Sequence, residues 1–137
     1  MFEAKVYRIA VSTLGAILQE EHIAKESIQK WNVERAEKAG KIFLSVPEDA
    51  PVTPDLYVVI IDSYVDATKV DETIAKGKPI AFFFSQYHDP KNSMQVEIDK
   101  VDAFKETVKD KHCCVDYGSN RQFEEKLISI CDAFSKN

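Results

Sequence analysis

The stretch Lys41–Ser85, KIFLSVPEDAPVTPDLYVVIIDSYVDATKVDETIAKGKPIAFFFS, decides the architecture. It contains three β-type apolar runs, Lys41–Val46 (KIFLSV), Leu56–Ile61 (LYVVII) and Pro79–Phe84 (PIAFFF). The second and third runs are apolar on both faces, as expected of strands covered from both sides in a parallel sheet. Between them a helix is predicted over about 66–76, with Ala67, Val70 and Ile74 turned inward and Gly77-Lys78-Pro79 as its stop. Between the first and second runs lies only Pro47–Asp55 (PEDAPVTPD), three prolines in nine residues, where no helix fits. Either this segment crosses the sheet as an extended strap, or the strand before it is not parallel. In both cases the sheet lacks cover there, and an uncovered apolar patch predicts a homodimer.

The same alternation continues outward in both directions. Lys5–Val11 (KVYRIAV) reads as a strand, followed by a helix from about Leu14 to Lys38 with Ile17, Ala24, Ile28 and Trp31 on one face and Gly40 as its stop. After Pro79–Phe84 come a polar loop (85–92), a helix near 93–110, a short strand Cys113–Tyr117 and a last helix Arg121–Ser135. Its Phe123, Leu127, Ile130 and Phe134 recur at helical spacing. Strands alternating with helices imply right-handed crossovers and one α/β domain over 1–137. The expected fold is a flavodoxin-like three-layer sandwich. Its five-stranded, mainly parallel sheet has order 2-1-3-4-5, with the helix between strands 2 and 3 missing.

Composition narrows the function classes. In 137 residues, 18 basic and 23 acidic side chains give a net charge of −5, with no basic stripe for nucleic acid. Leu56–Ile61 is the longest apolar run, far too short to span a membrane, and residues 1–11 lack the basic start and long apolar stretch expected of a signal peptide. Three cysteines, Cys113, Cys114 and Cys131, make no disulfide framework and have no ligand spacing, so a cytoplasmic protein without metal is expected. Gly15 stands alone, without a glycine-rich phosphate loop, and no cofactor is expected.

Four segments together resemble the small bacterial TIR-like domains related to nucleoside 2-deoxyribosyltransferases. They are Ser27–Val46 (SIQKWNVERAEKAGKIFLSV), Asp55–Ile61 (DLYVVII), Val70–Ser85 (VDETIAKGKPIAFFFS) and Val101–Thr107 (VDAFKET). The resemblance covers most of residues 5–130 and rests on the order and spacing of the motifs. It implies a site for a nucleotide or nucleoside at the carboxyl ends of strands one, three and four, where open α/β sheets also place ligands on physical grounds. Here those ends are Ser12-Thr13, Asp62-Ser63-Tyr64 and Ser85–Asp89. Plain readings compete at each. Ser12-Thr13 serve equally as helix caps, Asp62 and Ser63 as turn formers, and His88-Asp89 as part of an Asp-Pro turn.

The resemblance further implies a glutamate eight positions before the glycine of "GKP", which cleaves an N-glycosidic bond. That position is Lys69. The departing base leaves an oxocarbenium-like sugar that needs an anion, and an ammonium opposes it. Asp66 and Glu72 lie one turn to either side and are the carboxylates that a shifted register would use. With the glutamate replaced and the wall-forming helix absent, the reading is a non-catalytic member acting through self-association or ligand binding. Its binding residues would be Ser12, Thr13, Asp62, Ser63, Tyr64 and Lys69. The alternative is an N-glycosidase or deoxyribosyltransferase acting on a nucleoside or NAD, with Glu72 or Asp66 as its carboxylate.

Overall fold

A computed structural model describes residues 3–14, 18–47, 51–61, 67–85 and 95–136. The elements in chain order are β1 (Lys5–Leu14), α1 (Leu18–Ala39), β2 (Lys41–Val46), β3 (Leu56–Ile61), α2 (Ala67–Ala75), β4 (Ile80–Ser85), α3 (Gln95–Val108), β5 (Cys113–Tyr117) and α4 (Asn120–Ser135). The sheet has order β2-β1-β3-β4-β5 and every pairing is parallel, so the flavodoxin-like expectation holds. No helix among the described residues is long and apolar enough to cross a membrane.

The two all-apolar runs are the centre of the molecule, and every residue of β3 and of β4 is buried. Alternate side chains feed two separate cores. Ile9, Val58, Ile60, Ala81 and Phe83 pack with Ala24, Ile28 and Trp31 of α1 and Phe123, Leu127 and Cys131 of α4. Ala10, Tyr57, Val59, Ile61, Phe82 and Phe84 pack with Val70 of α2 and Val101 and Val108 of α3. Gly40 and Gly77 end α1 and α2 at φ of 69° and 70°, a region that costs any residue with a Cβ.

α1 is tied to α4 by polar bonds as well as by packing. Asp132 accepts from the Trp31 indole N–H through one oxygen and from Arg35 Nη1 through the other, both at 2.7 Å. The indole also meets Phe43 of β2 edge-on, with ring centres 4.8 Å apart. Lys41, the first residue of β2, donates to the Ser135 carbonyl near the end of α4.

Two expectations need refinement. β1 runs on through Leu14, with Ser12 opposite Val59 and Thr13 opposite Ile60, so Ser12-Thr13 end a strand and do not cap a helix. Continued pairing with β3 outcompetes the capping role of these two residue types. β2 is parallel, which leaves the strap as the solution for 47–55: its described residues, 47 and 51–55, form no helix. Asp55 anchors the far end. Its carboxylate accepts from the Arg8 N–H at 2.8 Å and its own N–H donates to the Arg8 carbonyl at 2.8 Å, extending the ladder below β3. On the α2/α3 face of the sheet, alternate residues of β1 and β2 form the outer rim, with Val46 packed against the second core. There Val6 and Leu44 remain 42% and 46% exposed, and Val52 of the strap itself is 39% exposed.

Removing the Asp132 carboxylate leaves the buried indole N–H unpaired. Asp132→Ala should therefore cost about 2 kcal/mol in urea unfolding. Arg121→Ala, which breaks only an exposed pair with Glu125 (3.1 Å), should leave the midpoint unchanged.

Candidate functional site

At the carboxyl pole of the sheet, the ends of β4 and β5 and the first turns of α1 and α4 converge on a cleft of about 410 Å³. This is within the usual range for small-molecule sites. Its described lining is Gln19, Glu20, Ser85, Tyr117 and the Gly118-Ser119-Asn120 turn. Ser85 and Tyr117 face each other as the last residues of their strands, in register and both buried. The turn is shaped by a reciprocal cap. Ser119 Oγ accepts from the Gln122 N–H (3.2 Å) while Gln122 Oε1 accepts from the Gly118 N–H (2.6 Å). Ser119 itself is extended (φ −156°, ψ 163°), the usual backbone of a helix N-cap.

Among its described residues the cleft is rich in hydrogen-bonding groups of both kinds and carries one full charge. Glu20, in the first turn of α1, is the carboxylate of the described lining, and no Lys or Arg accompanies it. Glu20 makes no hydrogen bond or ion pair with a described residue. The amino ends of two helices add partial positive character and N–H donors beside it.

The residues expected from the sequence are distributed differently. Ser12 is 3% exposed inside β1 and is not a described wall of this cleft. Thr13 belongs to β1 opposite Ile60. Lys69 sits in the first turn of α2 and is half-buried, while Glu72 is exposed on the same helix and is not a described wall either. Asp62, Ser63, Tyr64, Asp66 and the pair His88-Asp89 lie outside the described residues. Of the expected strand ends, Ser85 alone is a described wall of the cleft. Sequence reasoning missed Gln19, Glu20, Ser119 and Asn120. The signal for the last two was legible: Ser119-Asn120-Arg121-Gln122 before Phe123 is a capping-box pattern directly after a strand.

The cysteines have no place in this chemistry. All three are free thiols. Burial pushes the Cys131 thiol up to about 12, and burial together with the neighbouring Cys113 raises that of Cys114. His112 turns its ring onto Phe82, with centres 5.6 Å apart, while Cys113 is exposed. Among the described residues no group of three His, Cys, Asp or Glu side chains is arranged to hold a metal ion.

A maleimide at neutral pH should accordingly label Cys113 first, Cys114 slowly and Cys131 only on unfolding, as read by mass spectrometry. Because the folded state holds the Cys131 proton more tightly than the unfolded chain, its contribution is complete below about pH 9 and fades as pH rises toward 12. The stability difference between the wild type and Cys131→Ala should shrink across that window, by on the order of 4 kcal/mol.

No protein-family model matches this chain, and no curated protein matches it. The chemistry of the cleft rests on its own residues.

Proposed function

We propose that this chain is a non-catalytic binding module of the TIR-like, nucleoside 2-deoxyribosyltransferase-like kind. Its ligand is a neutral, hydroxyl-rich small molecule, a nucleoside in chemistry, held in the cleft between α1 and α4. The observation that carries this reading is the charge of the cleft: one carboxylate, Glu20, amid hydroxyl and amide groups, with no Lys or Arg in the described lining. A carboxylate accepts two sugar hydroxyls, whereas a nucleotide phosphate would be repelled. Glycosidic cleavage would need an anion beside the anomeric carbon. At the position where the related enzymes carry it this chain has Lys69, and Glu72 is exposed on α2. A cytoplasmic location fits three unpaired cysteines.

Titration calorimetry with a panel of nucleosides and their 5′-phosphates tests this. A nucleoside should bind, its 5′-phosphate should bind more weakly, and Glu20→Gln should weaken the nucleoside by roughly tenfold or more. No free base should be released by the wild type. Release that disappears in Glu72→Gln or Asp66→Asn would establish the alternative N-glycosidase or deoxyribosyltransferase. Release that disappears in Glu20→Gln would make the cleft an active site.

A second reading, self-association, is favoured by the clustering of exposed apolar side chains. Of the four large exposed hydrophobic residues described, Val6 and Leu44 lie on the adjacent strands β1 and β2, and Val52 on the segment that follows β2. We propose a homodimer through that face. Sedimentation at high micromolar concentration should show a dimer that Leu44→Lys dissociates; a monomer throughout would overturn it.

A further inference from the structure

The two long edges of the sheet are β2 and β5, and an edge strand presents unpaired N–H and C=O groups to any strand that approaches. In β2 the direction of these groups can be read. The Gly40 carbonyl accepts from the Lys5 N–H (2.9 Å), so main-chain groups of alternate residues from Gly40 onward face β1. Those of Lys41, Phe43 and Ser45 face the free edge. The middle one of the three is closed. Asn32 Nδ2 donates to the Phe43 carbonyl at 2.7 Å, and the Phe43 N–H donates to Asn32 Oδ1 at 2.9 Å. One side-chain amide thus reproduces both hydrogen bonds of an absent neighbouring strand.

The placement of Asn32 is rigid. Its chain neighbour Trp31 is 1% exposed, bonded to Asp132 and packed edge-on against the Phe43 ring. The strand it covers is one that would pair readily. KIFLSV has one charge, no glycine and no proline, and its Leu44 is already exposed. Two such strands related by a two-fold axis would pair antiparallel, each offering the same outward groups to the other.

We infer that Asn32 shuts the β2 edge against strand addition, and that the partner it excludes is β2 of a second copy of this chain. This is independent of association through the Val6–Leu44 face, which uses side chains and leaves the edge untouched.

The test compares wild type, Asn32→Ala, Asn32→Asp and the double variant Asn32→Ala/Ser45→Pro. The readouts are sedimentation velocity over a range of concentrations and amide hydrogen exchange at Phe43. Ser45 directs its N–H to the free edge, so proline there blocks a second strand without removing a bond to β1. In Asn32→Ala, exchange at Phe43 should rise at least about tenfold at low concentration. Species larger than those of the wild type should form as concentration increases, and Ser45→Pro should reverse them. Asn32→Asp keeps the acceptor for Phe43 N–H but loses the donor to its carbonyl, so it should associate to a lesser degree; it decides the question if Asn32→Ala does not fold. A folded Asn32→Ala or Asn32→Asp chain that sediments as wild type at every concentration would overturn the inference, as would association that Ser45→Pro does not reverse.

Discussion

Everything in this fold follows from the need to cover β3 and β4 on both faces at once. Their twelve residues are buried without exception, and each Å² of that apolar surface removed from water contributes about 25 cal/mol. Two strands that are apolar on both sides demand a helix layer on each side. They also demand parallel neighbours whose crossovers supply those helices. The faces of the central strands are then fully occupied by packing. Openings for a ligand arise at the poles, and the cleft between the first turns of α1 and α4 is one of them.

Farther from the centre the cover thins and polar bonds take over. On the α1/α4 side, one carboxylate, Asp132, fixes the helix pair through two donors from α1. Adjacent residues of α1 then have different tasks. Trp31 belongs to the core, and Asn32 belongs to the sheet edge. On the other side, the strap replaces a helix and Asp55 pins its end to Arg8, but nothing described there covers Val6 and Leu44 as a helix would. Among the described residues, the β1–β2 pair is therefore tightly organised on one face and, at Val6 and Leu44, thinly covered on the other.

The contrast in legibility has physical causes. LYVVII and PIAFFF announce themselves because burial on two faces erases the usual alternation, and the sheet order is read by analogy with a common doubly wound order of five strands. The strap was legible as an absence of helix, since three prolines in nine residues cannot sustain one. Whether β2 ran parallel was not, because pairing direction is set by partners remote in sequence. Ser12-Thr13 were ambiguous because a hydroxyl residue after a strand suits either a cap or one more ladder position; the register with Val59 and Ile60 decided it. Glu20 was hidden for another reason. An acidic residue in a first helical turn looks like ordinary dipole compensation, and only the approach of the β5–α4 turn makes it the wall of a cleft.

The strap has an evolutionary consequence. A tether of nine residues, anchored by a short two-bond clasp at Asp55 and exposed at Val52, is the cheapest place in the chain to grow. Each doubling of a flexible connection costs only ~0.6 kcal/mol in closure entropy. An insertion able to fold back on Val6 and Leu44 would gain apolar contact at once. The exposed patch at Val6 and Leu44 is thus a place where new sequence can be recruited without disturbing either core.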